Sequence, residues 1–170
     1  MTESLPVTQL AAQAKNIRQL CAGVSDMQAR WRPDAVSWSV LEVINHLADE
    51  ESADFRTRLD CVLHRPGEPW PPIDPGAWVL ERRYNQRDLA ESLQRFSTAR
   101  EESLAWLRGL GKPDLSTAVT TPWGAQFHAG DMLAAWVAHD LLHLRQLIEL
   151  HYAWTVRQMQ PWSVVYAGDW

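Results

Sequence analysis

An all-α fold, a four-helix bundle with long irregular loops, is what this chain of 170 residues predicts, as one domain over 1–170. Four segments carry apolar residues at a period near 3.6, two of them open on capping-box patterns, and no stretch alternates convincingly as a strand. The first helix spans 5–22, with Leu10, Ala14, Ile17, Leu20 and Cys21 on one face and Gly23 closing it. Residues 31–38 (WRPDAVSW) connect, because Pro33 bars helix at the residue before it. Ser39 and Glu42 then cap a second helix running to His64, with a stripe of Leu41, Ile44, Ala48, Phe55, Leu59 and Val62. His46 lies off that stripe, beside Glu42, Asp49 and Ala53, so periodicity makes it half-exposed. Residues 65–86 hold five of the ten prolines and read as a functional or interface-forming loop. Asp88 and Glu91 open a third helix that ends near Gly109 and Gly111. Residues 112–129 form a second long loop with a short hairpin around 120–127. The fourth helix is Asp131–Trp154, and 155–170 reads as irregular packing structure.

The length suffices for a proper core without metal or disulfide staples. The formal net charge is −5, the pI is near 5.6, and no Lys/Arg cluster occurs, which speaks against nucleic acid and anionic membranes as partners. Cys21 and Cys61 fit no metal or redox spacing and read as reduced, buried thiols. With no run of about 18 apolar residues and no signal-type segment, the expectation is a soluble, cytoplasmic protein. Ten tryptophans are unusual for this length, and several fall in Pro/Gly-rich segments. Such rings either pin loops onto helices or wall a ligand pocket.

The fourth helix carries His139 and His143, four residues apart and therefore on one face. They sit at the edge of an apolar arc of Leu133, Trp136, Val137, Leu141, Leu144, Leu147 and Ile148, facing a neighbouring helix. Two neutral imidazoles so placed form half of a transition-metal site. The HDLLH string is a weak match to the H-E-x-x-H metalloproteases, since Asp140 replaces the glutamate and no third ligand follows at a familiar spacing. A carboxylate-bridged di-iron bundle needs paired Glu-x-x-His motifs, and none occurs. For His46 two readings stand on the residues alone, a solvated surface histidine or a third ligand.

The segment Trp38–Glu51 (WSVLEVINHLADEE) and the segment Gly130–Gln146 (GDMLAAWVAHDLLHLRQ) resemble the DinB-like superfamily of DinB/YfiT-type proteins, as do their separation and the Tyr166-x-x-x-Trp170 ending. The resemblance covers about residues 5–170. It implies a four-helix bundle, often a homodimer, with a divalent metal such as Zn, Ni or Fe held by His46, His139 and His143. Members of known activity include metal-dependent thiol transferases and a mycothiol-dependent maleylpyruvate isomerase. Three neutral ligands leave the ion's charge uncompensated and a position open, which suits activation of a bound water or thiol. Asp49 and Glu50 are the candidate acid–base or supporting carboxylates, with Asp140 able to orient an imidazole. Arg145 and Gln146 are candidates to meet an anionic substrate, and the loops 65–86 and 112–129 are candidate pocket walls. The expected function is therefore a thiol-dependent transferase acting on a small-molecule electrophile, with a low-molecular-weight thiol as cofactor. The alternatives are a metal-dependent hydrolase and a non-catalytic metal-binding or stress-response module.

Overall fold

Helix α3 (Val40–Asp49) is buried along its whole length, and the rest of the chain wraps around it. The computed structural model describes residues 4–121 and 123–169; Trp170 of the Tyr-x-x-x-Trp ending lies outside them. In chain order the helices are α1 (Leu5–Leu20), the short α2 (Asp26–Arg30), α3, α4 (Arg56–His64), α5 (Pro75–Glu81), α6 (Leu89–Gly109) and α7 (Ala129–Gln158). Around the bundle the order is α3, α6, α1, α7, with α7 closing back onto α3 and α4. None of these helices is long and apolar enough to cross a membrane.

The capping signals are realised. The Ser39 hydroxyl accepts from the Glu42 N–H while the Glu42 carboxylate accepts from the Ser39 N–H at 2.8 Å, fixing where α3 begins. Arg32 forks onto the same Glu42 carboxylate and anchors the preceding connector. Ser39→Ala is expected to cost about 1 kcal/mol, the usual worth of such a cap, read as a shift in the urea midpoint without a change in slope.

The second helix departs from the expected single α-helix. Between α3 and α4 the backbone widens into a π-helical segment, Glu50–Phe55. Glu50, Glu51, Asp54 and Phe55 of this segment all face the protein interior. The loop 65–86 also holds more order than expected. Asp74 accepts from the Ala77 N–H and Pro75 occupies the first turn, so α5 forms, and a 3₁₀ turn follows at Tyr84–Gln86. The expected hairpin is present as β1 (Ala118–Thr120) paired antiparallel with β2 (Gln126–His128), with Val119 opposite Phe127. Trp70 packs edge-on against Trp123 and Phe127, so here the rings pin one long loop to the other.

The core is two apolar clusters, not one. The upper contains Ile17, Val43, Ile44, Leu47, Phe96 and Leu147. The lower contains Leu10, Phe55, Leu59, Leu104, Leu133 and Trp136. Between them every long helix contributes buried polar groups: Gln13 from α1, His46 and the acids 50, 51 and 54 from the second helix, Arg100 from α6, and Asp140 from α7. Leu141 and Ile148, placed on the apolar arc of the last helix by periodicity, are instead exposed.

Candidate metal centre

His46 is 5% exposed, not half-exposed, because α3 has neighbours on every side and no solvent face. Its Nε2 lies 3.3 Å from His139 Nε2, and His143 Nε2 lies 3.1 Å from His139 Nε2. One ligand atom from each of the three rings fits within a single 4.8 Å cluster. Ligands about 2.0–2.1 Å from a tetrahedral ion stand about 3.3 Å from one another, so these separations fit the edges of such a coordination shell.

The tautomers agree with that fit. His143 Nδ1 meets Gln146 Oε1 at 2.8 Å, which places its proton on Nδ1 and its free lone pair on Nε2, facing the other rings. His46 Nδ1 and Glu50 Oε1 are 3.7 Å apart, both buried and neither with a hydrogen-bond partner, so a small shift would join them. Trp38 covers the cluster, edge-on to His46 at 4.9 Å and parallel to His143 at 6.4 Å. Phe55, at the end of the π segment, closes it from below with its ring centre 5.0 Å from that of His139.

All three rings resist protonation. Burial, then the neighbouring His143 and His139, push His46 down to about 2. Burial, His143 and Arg100 push His139 down to about 3, and burial lowers His143 against the opposing pull of Gln146. Neutral imidazoles are what a cation requires. Glu50 moves the other way: burial and the adjacent Asp54 raise it to about 8, against the opposing charge of Arg58. It therefore carries a proton near neutrality, beside the site.

These shifts fix a pH signature for the metal-free protein. An unfolded imidazole takes a proton near pH 6.5 that the folded rings refuse, so stability falls as pH drops below 6.5. His46 and His139 each contribute about 1.4 kcal/mol per pH unit toward their folded values, and His143 adds in the same direction. Glu50 keeps a proton that the unfolded chain loses above about pH 4.5, so its contribution falls as pH rises toward 8. The two strongly shifted rings, His46 and His139, outweigh the Glu50 carboxyl between 4.5 and 6.5, and metal-free stability is expected to peak near pH 6.5 in urea titrations. A flat profile from 4.5 to 6.5 would contradict the burial of these rings.

The structure separates the two carboxylates expected to serve the site. Glu50 is beside His46. Asp49 differs: its buried carboxylate is taken by Arg82, Arg95 and the Tyr84 hydroxyl, none of which reaches the histidines. A helix residue one step on points about 100° away, which is why neighbours diverge so completely. Asp140 likewise orients no imidazole; it accepts two bonds from Arg100, at 2.6 and 2.9 Å. Arg145 is exposed and paired with Glu149 at 3.3 Å. The remaining histidines stand apart: His64 pairs with Asp60, His128 caps α7 with Asp131, and His151 meets Gln28.

An open pocket of about 480 Å³ reaches His143, walled by Ser37, Trp38, Gln146, Glu149 and Leu150. Its walls come from the 33–38 connector and α7, not from the loops 65–86 and 112–129. Sequence reading missed Arg100, Glu51 and Trp136 as a buried polar group behind the site; no local pattern marks them, because the partners are 40 to 85 residues apart.

Three comparisons bear on this geometry. No curated protein sequence is similar to this one. A solved structure, YfiT from Bacillus subtilis, described as a probable metal-dependent hydrolase with an unusual four-helix bundle topology, superposes with a TM-score of 0.76. It is 21% identical, over 95% of this chain and 92% of that one, and so supports the fold. The family model of the DinB superfamily matches residues 9–147, a span that includes all three converging histidines and the π segment. This chain belongs to the DinB superfamily.

Proposed function

We propose that the protein is a metal-dependent hydrolase, with His46, His139 and His143 holding a divalent cation and the Trp38 pocket admitting a small-molecule electrophile. The convergence of three neutral imidazoles, with His139 Nε2 at tetrahedral spacing from both His46 Nε2 and His143 Nε2, carries this reading. A cation bound there supplies a Lewis acid that brings the pKa of a coordinated water or thiol toward neutrality. The residues around it do the rest. Gln146 fixes the ring of His143, and Trp38 and Phe55 keep bulk water from the cluster. Glu50, holding its proton near neutrality, is placed to pass one on.

The pocket favours water over a thiol as nucleophile. Among the described residues lining it there is no Lys or Arg, and Glu149 adds a carboxylate. Low-molecular-weight thiols commonly carry carboxylates and gain nothing from such walls. The description of YfiT as a probable metal-dependent hydrolase points the same way. Thiol-dependent transfer is the second reading, favoured by the family resemblance. Protein reconstituted with Zn²⁺, Ni²⁺ or Fe²⁺ should cleave activated esters or amides without added thiol, and Glu50→Gln should lower that rate by about 10²-fold at unchanged metal content. Consumption of electrophiles only when a thiol is added would replace hydrolysis by transfer; turnover in neither assay would leave a binding module.

The exposed Leu141, Leu142 and Ile148 on α7 suit burial against a second copy, and we propose a homodimer, testable by sedimentation. Unpaired, buried Cys21 and Cys61 suit a reducing compartment such as the cytoplasm.

A further inference from the structure

We infer that Arg100 is a positioning residue for the metal centre: it sets the separation at which His46 and His139 face each other. The inference rests on the reading of the three histidines as ligands. Arg100 belongs to α6, the one long helix of the second half that contributes no imidazole, and it is 1% exposed. Its guanidinium forks onto Asp140 at 2.6 and 2.9 Å, reaches Glu51 at 2.5 Å and donates to the Leu10 carbonyl at 2.9 Å.

The two carboxylate partners lie on the two stretches of helix that carry the ligands, whereas Leu10 belongs to α1. Asp140 is the residue after His139, turned about 100° from it around the same helix. Glu51 sits in the π segment that begins four residues after His46. Trp136, one turn before His139's neighbour, adds a second tie by donating Nε1 to Glu51 Oε1 at 2.9 Å. Among the described residues, the polar links between the π segment and α7 at this level run through Glu51, directly from Trp136 or by way of Arg100. The three neutral rings themselves supply little to hold the two elements in register, since their facing nitrogens compete for few protons.

Stability does not account for the cluster. Three buried charges lose their hydration, and well-packed apolar residues in their place are often equally or more stable. What a bidentate guanidinium adds is geometry: it fixes the orientation of both carboxylates, and with them the backbone turns that bear them. The cluster is also formally −1, behind a site whose ligands are all neutral.

The test measures Co²⁺ affinity and its visible absorption bands in the full chain, with Arg100→Met, Arg100→Lys and Leu104→Ala. Leu104 is buried in the lower apolar cluster, so its truncation lowers stability without touching the network. Arg100→Met should weaken Co²⁺ binding by about 10–100-fold, as loss of an outer partner does, and alter the band shape. Arg100→Lys, which keeps the charge and loses the fork, should fall between it and the parent. Leu104→Ala should stay within about threefold. Parent-like affinity in Arg100→Met, or an equal loss in Leu104→Ala, would overturn the inference. If Arg100→Met does not fold, the apolar triple variant Glu51→Leu, Arg100→Met, Asp140→Leu takes its place. A folded triple variant still tenfold weaker supports the inference, and one with parent affinity overturns it. A parent that binds no Co²⁺ removes the metal reading altogether, whereas a parent that binds beside an unaffected Arg100→Met removes this inference alone.

Discussion

Removing the His139 ring should abolish stoichiometric metal. Both short nitrogen–nitrogen contacts of the cluster pass through His139 Nε2, so His139→Ala leaves His46 and His143 as an incomplete pair. The loss should exceed the roughly 10–100-fold that follows removal of a residue merely supporting a ligand. Metal analysis of tag-free protein reads it, with helicity by far-UV circular dichroism as the control. Helicity should hold, because the ring sits in the polar layer between the two apolar clusters and meets the lower one only at Phe55. One further mark separates this result from general damage. The acid-side slope of metal-free stability between pH 4.5 and 6.5 should shrink by about 1.4 kcal/mol per pH unit, one ring's share. Full metal content in His139→Ala would end the assignment.

Asp49→Ala should do the reverse, destabilising the protein without touching the metal. The change strands the buried Tyr84 hydroxyl, while Arg82 and Arg95, at 36% and 40% exposed, turn to water. A buried donor left unsatisfied costs about 1–3 kcal/mol. Chemical denaturation should show that loss, and metal stoichiometry should stay at the parent value in the folded fraction. Lost metal with stability intact would return Asp49 to the site.

How far the sequence led depends on the range of the forces involved. Caps and periodicity are local, so Ser39–Glu42, Asp88 and the 139/143 pair were legible, and with them the bundle. The signal for α5 was equally local, an Asp–Pro step at 74–75, but lay hidden in a proline-rich stretch. The exposure of His46 was not legible, because a one-sided apolar stripe describes a surface helix, whereas α3 is enclosed on all sides. Least legible was the run Asp49-Glu50-Glu51. Three adjacent acids read as a solvated surface, yet all three are buried. Each finds its partner in a different direction: Arg82 and Arg95 for the first, His46 and Asp54 for the second, Arg100 and Trp136 for the third.

The widened turn at 50–55 makes this part of the chain more sensitive to composition than to length. A π-helical turn amounts to an α-helix that has accommodated one extra residue. Because the wide turn absorbs that residue locally, the helix beyond it stays in phase. Removing one residue there would let the winding close to about 3.6 per turn while Phe55, Leu59 and Val62 keep facing the lower core. Loss of the exposed Ser52 should therefore be borne more easily than Glu51→Ala, which takes the buried acceptor from Arg100 and Trp136 at once.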